Sequence, residues 1–312
     1  MITRRNVLGI AGLALTCLVW YGCQAPTRQL GFERAAGPYS AFEGEQGEQH
    51  TLCPFGVPEI DETWGWGPTE RIDRPGYLLE HGSDYKIPFW VCELVKESDL
   101  TGPGNRKKCS FKAEPRLARG ERAVLSDYRG SGYDRGHQAP AADFKSSQDD
   151  TCDSFLLSNM APQVGIGFNR DIWRFLETRT RDVVENRGKA FVITGGMLYD
   201  PKEEDKETAD GFIDYDTIGN NQVAVPTHFY KIIVAKNDGG EWEAIGFVLE
   251  NKAYPRVSKG KYDFAPFIRS IDWIEDRTGI NFMPILDEEK PELEEALERD
   301  PAADLWPGFR SD

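Results

Sequence analysis

The sequence predicts an α+β domain, an antiparallel sheet with flanking helices, and three observations carry that reading. Runs rich in aromatic and β-branched residues occur at Lys86-Ile-Pro-Phe-Trp-Val-Cys-Glu-Leu-Val95 and at Val223–Lys236. The second run turns at Asn237-Asp-Gly-Gly240 into a further strand over Glu241–Leu249, and so tight a connection joins strands antiparallel. Between the two runs lies one long helical pattern, Asn169–Asn186, with Ile172, Trp173, Leu176, Val183 and Val184 at helical spacing and Gly188 placed as its stop. The 312 residues suffice for one large domain or two small ones, with ample apolar content for a core.

The chain opens with Arg4 and Arg5, then an apolar run from Val7 to Tyr21, and has no acidic residue before Glu33. That layout predicts an export signal or N-terminal anchor over residues 1–25. Thr3-Arg-Arg-Asn-Val-Leu8 is faintly similar to a twin-arginine signal, and Gly22-Cys23 to a lipoprotein cleavage site that would attach the chain to a membrane. The apolar run, at about 15 residues, is short of the ~20 that span a bilayer. Residues 26–66, rich in Gly, Pro and Glu with little periodicity, read as a leader or linker.

Strand patterns begin at Gly76-Tyr-Leu-Leu79, continue over Lys86–Val95, and meet a turn at Thr101-Gly-Pro-Gly104. Apolar Ser154–Met160 predicts a short buried strand, and Ala190-Phe-Val-Ile-Thr-Gly-Gly196 another. From residue 286 on, charge and prolines predict a mobile acidic appendage with at most a short helix over Pro291–Arg299.

Beyond the signal stand Cys53, Cys92, Cys109 and Cys152, an even number that predicts two disulfides with three pairings open. Thr101–Gly104 turns the chain between Cys92 and Cys109, which makes these two the expected pair. No Cys-x-x-Cys pair occurs and the histidines number only four, a poor basis for a structural zinc site.

A net charge of −15 argues at first against a polyanionic partner, but the charge is unevenly placed. Thr101–Lys145 holds ten Lys/Arg against five Asp/Glu, a net of +5, whereas Leu286–Asp312 holds ten acidic against three basic residues, a net of −7. A locally basic cleft is compatible with an acidic whole. The basic stretch leads into Ser131-Gly-Tyr-Asp-Arg-Gly-His137, where Asp134, Arg135 and His137 fall within four positions, with Gly136 expected to let the chain turn sharply. A histidine accepts a proton near neutral pH, and an arginine forks onto phosphate oxygens. Base plus phosphate clamp is equipment for attacking a phosphodiester. The same four residues would also occur in a loop histidine held by a local Asp–Arg pair.

Further motifs follow in order. Phe155-Leu-Leu-Ser-Asn-Met-Ala-Pro-Gln163 precedes Phe168-Asn-Arg-Asp-Ile-Trp-Arg-Phe-Leu-Glu177. Together, Asp-Arg-Gly-His, Ser-Asn-x-x-Pro-Gln and Asn-x-x-x-Trp-x-x-Leu-Glu resemble the sugar-non-specific DNA/RNA endonucleases, the family of secreted bacterial nucleases and mitochondrial endonuclease G. The resemblance spans roughly residues 76–284, and the expected domain runs over 67–285, with 286–312 as acidic tail.

The resemblance implies a ββα-metal (His-Me finger) core, Mg²⁺ as cofactor with Mn²⁺ as a substitute, and DNA and RNA as partners. It implies His137 as general base, Asn169 as direct metal ligand and Glu177 in the metal's water shell. It implies Arg135 against the phosphorane, with Asp134 supporting by pairing with Arg135 or fixing the turn, and Asn159 as an active-site asparagine that could equally serve turn hydrogen bonding. Arg181 matches a phosphate-side arginine. A second such arginine falls among Arg106, Lys107 and Lys108, with Arg106 as the named candidate. Glu177 could instead pair with Arg181 one turn on, and Trp173 reads as core packing. Localisation is then exported, periplasmic or extracellular and open to lipid anchoring, or the mitochondrial intermembrane space if the source is eukaryotic. Two other classes stay open, an exported nucleic-acid-binding protein without catalysis and a disulfide-stapled secreted interaction module. The presence of both His137 and Asn169 favours the enzyme.

Overall fold

Continuous runs of buried, mostly apolar residues along Ile87–Lys96, Lys189–Met197, His228–Lys236 and Trp242–Glu250 build four long neighbouring strands, and the fold is arranged around them. The computed structural model describes residues 2–6, 50–204, 208–257, 262–289, 291–298, 306 and 309. In chain order the strands are β1 (Ile2–Asn6), β2 (Glu59–Ile60), β3 (Thr69–Asp73), β4 (Leu78–Gly82), β5 (Ile87–Lys96), β6 (Tyr133–His137), β7 (Met160–Val164), β8 (Lys189–Met197), β9 (Phe212–Ile218), β10 (Val223–Ala224), β11 (His228–Lys236), β12 (Trp242–Glu250), β13 (Ile268–Arg269) and β14 (Ile280–Asn281). The helices are α1 (Leu125–Tyr128), α2 (Gln148–Asp153), α3 (Arg174–Arg187), α4 (Ile271–Thr278), α5 (Pro284–Glu289) and α6 (Pro291–Glu298).

Seven strands form the main sheet in the order β13-β12-β11-β8-β5-β4-β3, every pairing antiparallel. The expected hairpin is present: β11 pairs with β12 in register from His228↔Glu250 to Lys236↔Trp242. The predicted strand over Val223–Lys236 is two, β10 and β11, separated at Val225-Pro226-Thr227, because proline cannot donate to a ladder. Ser154–Met160 is no strand. It is a helix end and a 3-10 turn over Leu157–Asn159 that feeds β7 at Met160.

Two expectations for the chain's ends do not hold. Residues from His50 on are not a linker: Cys53, Phe55, Val57 and Trp66 are buried, and Phe55 sets its ring edge-on to Phe191 and Trp242. Nor are the described residues of the acidic tail a mobile appendage. Leu286, Leu297, Trp306 and Phe309 are buried, the Arg187 guanidinium lies 4.0 Å over the Trp306 ring, and Phe309 packs on Phe247 and Phe264. Apolar residues spaced through the charged sequence anchor it. The export-signal, twin-arginine and Cys23 features lie outside the described residues except for Ile2–Asn6, which pair antiparallel with β9. No helix among the described residues is long and apolar enough to cross a membrane.

Cysteine pairing also differs from expectation. Cys109 is bonded to Cys152, not to Cys92, while Cys53 and Cys92 are free and buried. Cys92 lies inside β5 in the middle of the sheet, whereas Cys109 sits on the basic loop beside α2, so the Thr101–Gly104 turn does not return one to the other. The bridge ties the turn Arg106–Lys108 to α2.

Candidate active site

Away from the main sheet, β6 and β7 form a two-stranded ribbon with His137 opposite Met160 and Asp134 opposite Gln163. His137 thus stands at a strand end. Gly136 is required here for space, not for a turn: a Cβ at that position would come within 2.1 Å of the Gln163 side chain on the facing strand. β7 runs into a kink at Ile166 and Gly167, after which Phe168–Trp173 coil with a wide, π-type pitch and continue into α3, so the helix predicted from Asn169 begins where expected. Gly167 takes φ +89°, and a Cβ there would press within 2.9 Å of the Ala253 and Tyr254 backbone. Its amide donates to Asp171 Oδ2 at 2.7 Å, closing the turn. Trp173 is core as expected, stacked on Phe168 and tilted against Phe229.

The strand end and the turn are joined by one carboxylate. Asn169 Nδ2 donates to Asp134 Oδ2 at 3.0 Å, and Arg170 grips both Asp134 oxygens, with Nε to Oδ2 at 2.6 Å and Nη2 to Oδ1 at 2.5 Å. The expected Asp134–Arg135 pair is not formed. The Arg170 hydrogen bonds hold the Asp134 carboxyl below the usual range, and the Asn169 amide helps. Arg135 instead lays its guanidinium 4.3 Å over the Phe111 ring. With its amide nitrogen fixed on Asp134, the Asn169 side chain is held in one orientation.

His137 packs against a pair of touching rings, edge-on to Phe155 at 4.9 Å and tilted to Phe111 at 5.8 Å. Its Nε2 is buried without a hydrogen-bond partner. Burial, with the nearby Arg106 charge, pushes the imidazole down to about 3, so at neutral pH the ring is uncharged. Arg106 is the member of the Arg106–Lys108 run that reaches this place: its guanidinium lies 5.7 Å over Phe155, and its charge acts on both His137 and Glu177.

Glu177 is half-buried on α3, and burial raises its carboxyl to about 7 against the opposing pull of Arg181 and Lys231. The alternative Glu177–Arg181 surface pair is absent. Arg181 Nη1 donates to the buried Asp143 at 2.8 Å, and Nη2 to Thr178 at 3.2 Å. Asn159 requires correction as a substrate-facing residue. It is fully buried, takes the Ala139 amide on Oδ1 at 2.9 Å, and donates to the Ala139 and Ser154 carbonyls at 2.9 Å each. It clamps the loop that follows His137, the turn-bonding alternative.

Sequence reasoning missed the rings of Phe111 and Phe155, the Asp143 partner of Arg181 and the Arg170 partner of Asp134. Only Phe155 and Arg170 lay inside a quoted motif, and none carries a spacing signal of its own. Arg129 and Arg135 line a cleft of about 260 Å³ with Tyr128, Tyr133 and Asp134. A larger cavity of about 500 Å³ on the other side of Tyr133 is rimmed by Asp200, Asp214, Asp216 and Glu250, a lining that repels phosphate.

The donor set fits a hard divalent cation and no all-protein cage. Among the described residues, the sole cluster of three His, Cys or carboxylate ligands within 4.8 Å of one another is Asp272, Glu275 and Glu298, on α4 and α6. At the β6–α3 site the oriented Asn169 oxygen and the Glu177 carboxyl leave most coordination positions to water and substrate, the habit of Mg²⁺.

Known proteins are similar to this chain in sequence and fold. The family model described as DNA/RNA non-specific endonuclease matches residues 62–289. A nuclease of Syncephalastrum racemosum is 37% identical over 248 residues, covering 78% of this chain and 76% of its own. The mitochondrial endonuclease G of Bos taurus is 33% identical over 249 residues, 80% of this chain and 77% of its own. A solved EndoG/EndoGI complex, described as showing the mechanism of EndoG inhibition, superposes with TM-score 0.67 at 30% identity, covering 75% of this chain and 90% of that one.

Proposed function

The chain belongs to the DNA/RNA non-specific endonuclease family, and from that premise we propose that His137 is its general base and Asn169 the protein ligand of a divalent metal, Mg²⁺ with Mn²⁺ as substitute. It is a nuclease that hydrolyses phosphodiester bonds of DNA and RNA. The observation that carries the assignment is the unpartnered Nε2 of His137, standing on the strand that also orients Asn169 through Asp134.

Phosphodiesters resist attack because their charge repels the nucleophile and the departing alkoxide is poor. When bound, the metal supplies positive charge against the phosphorane and the leaving oxygen. His137, uncharged, takes a proton from the attacking water through Nε2. Without substrate its basicity is low, and a phosphodiester beside the ring brings a negative charge that raises it toward neutrality. Phe111 and Phe155 restrict the ring to one plane and keep bulk water from it. Arg135, held over Phe111, faces the developing charge, while Arg106 and Arg181 steady the flanking phosphates. Glu177 accepts hydrogen bonds from water around the metal. Asp134 and Asn159 act one step removed, by fixing Asn169 and the loop after His137.

For location we propose the oxidising side of a membrane, as the Cys109–Cys152 bridge suits; it is common to an exported protein and one in the mitochondrial intermembrane space. Membrane attachment through the N-terminus rests on the Gly22-Cys23 sequence alone. Supercoiled plasmid and a structured RNA, each incubated with Mg²⁺ or with EDTA, test the reading. Cleavage of both that EDTA abolishes is expected; cleavage unaffected by EDTA would refute metal dependence, and binding without cleavage would leave the non-catalytic alternative.

A further inference from the structure

We propose that Cys53 and Cys92 are an oxidisable pair that closes as a second disulfide and staples the N-terminal arm to β5. The two sit 39 positions apart in the sequence yet meet in the core, Cys53 with 2% and Cys92 with 1% of its surface exposed. Cys92 Sγ donates to the Leu52 carbonyl at 3.0 Å, next to Cys53 in the chain, and the two thiols hydrogen-bond each other. Cys53 is presented by a tight turn in which its own amide donates to the His50 carbonyl at 3.0 Å. With Cys92 Sγ on the carbonyl of Cys53's chain neighbour, the ~2.05 Å bond of a disulfide would join two residues already packed together.

Chemistry around the pair is asymmetric. His50 lies against Cys53 through a side-chain hydrogen bond, and its Nε2 faces Asp73 Oδ2 at 3.4 Å. Burial alone would raise the Cys53 thiol, but the hydrogen bonds from Cys92 and His50 outweigh it and leave Cys53 below its ordinary value. Burial pushes Cys92 well above its own. His50 lies three positions from Cys53 in the same turn and travels with it when the arm undocks, so Cys53 is the attacking thiol and Cys92 the resolving one. With a small external disulfide such as oxidised glutathione as oxidant, the Cys53 proton passes to His50 and the thiolate attacks. One glutathione thiolate leaves, and the mixed disulfide forms. Cys92, deprotonated in turn, displaces the second glutathione thiolate and forms the Cys53–Cys92 bond. Two protein thiols are oxidised, one glutathione disulfide is reduced to two thiols, and both protons end on the glutathiones. Since neither sulfur is exposed, exchange takes place while the arm is undocked, during folding or local opening.

A metal is the other occupant such residues suggest. His50, Cys53 and Cys92 do not bring their donor atoms within 4.8 Å of one another, so they offer no ready coordination site. The partner bridge Cys109–Cys152 shows that the chain suits conditions in which thiols oxidise.

The full chain, folded by circular dichroism, is equilibrated with oxidised glutathione, denatured in acid, alkylated with iodoacetamide without reduction, digested and mapped by mass. A Cys53–Cys92 cross-linked peptide is the expected product, and in Cys53→Ala the Cys92 peptide should be recovered alkylated. Recovery of both alkylated wild-type thiols, or of either joined to Cys109 or Cys152, would overturn the proposal. In Cys17→Ser/Cys23→Ser/Cys109→Ser/Cys152→Ser, where only this pair remains, oxidation should raise Tm by roughly 10 °C over the reduced form for a loop of this length. Equal Tm values for the oxidised and reduced forms would overturn it as well.

Discussion

Replacing Asp134 by alanine should weaken metal binding without removing any atom proposed to touch metal or substrate. Asp134 holds the Asn169 amide nitrogen at 3.0 Å, and without it the side chain is free to rotate its oxygen out of the coordinating position. Losing the hydrogen-bond partner of a metal ligand typically lowers affinity by roughly 10- to 100-fold, about 1.4–2.7 kcal/mol. Arg170 contributes little to that figure. Its side chain is 60% exposed, and an exposed ion pair is worth about 1 kcal/mol or less. Arg170→Ala should therefore cost no more than about fivefold, and Asp134→Asn, which keeps an acceptor for Asn169 but loses the charge that Arg170 grips, should fall between the two. Initial rates of plasmid cleavage across a Mg²⁺ titration measure the half-saturating concentration, and calorimetric titration measures binding without turnover. At saturating Mg²⁺, Asp134→Ala should recover most of its kcat. An unchanged half-saturating concentration in Asp134→Ala, or a loss in Arg170→Ala as large as in Asp134→Ala, would refute the orienting role.

Arg106→Ala should raise KM for DNA more than it lowers kcat, and should flatten the salt dependence of KM, measured between about 50 and 200 mM salt. Cys109→Ser/Cys152→Ser should lower stability by about 4 kcal/mol for a separation of 43 residues, roughly 10 °C in Tm, and should raise KM because the bridge seats the Arg106 turn. Buried His81, pushed down to about 4, stays neutral in the folded chain while the unfolded chain protonates near 6.5. The unfolded state then binds more protons between those values, so stability should fall as pH drops from about 6.5 to about 4, and His81→Gln should flatten that slope by about one proton in denaturant titrations. Deleting Leu286–Asp312 should destabilise the domain, because Leu286, Leu297, Trp306 and Phe309 leave the core; an unchanged Tm would contradict their packing.

How far the sequence could be read depended on whether the signal was local. The β11–β12 hairpin and the long strands were legible because runs rich in β-branched and aromatic residues and the Asn237–Gly240 turn both lie within a short stretch. His137 and Asn169 were legible through motifs whose members are close in sequence. Contacts between distant segments were not. The Asp134–Asn169 link and the Arg181–Asp143 pair cross 35 and 38 positions, and nothing in either stretch announces its partner. Asp134 was expected on its neighbour Arg135, but successive strand residues face opposite ways, and Arg135 goes to Phe111 instead. The helix expected from Asn169 is present, but the kink just before it was not legible, because Gly167, at positive φ, packs on the 253–254 backbone, a constraint from elsewhere in the chain. The same holds at both ends, where composition suggested a linker and a mobile tail while a few spaced apolar residues bind each to the core.

Cleavage by His137→Ala tests the central claim most directly. With the fold confirmed by circular dichroism and Mg²⁺ saturating, initial rates on supercoiled plasmid should fall by roughly 10²- to 10⁴-fold, the contribution typical of a positioned general base. Because His137 packs against the Phe111 and Phe155 rings and makes no hydrogen bond through Nε2, its loss opens a small space that free imidazole can enter, and added imidazole should restore part of the rate. A rate within a few-fold of wild type, measured without imidazole, would show that the proton leaves the attacking water by another route.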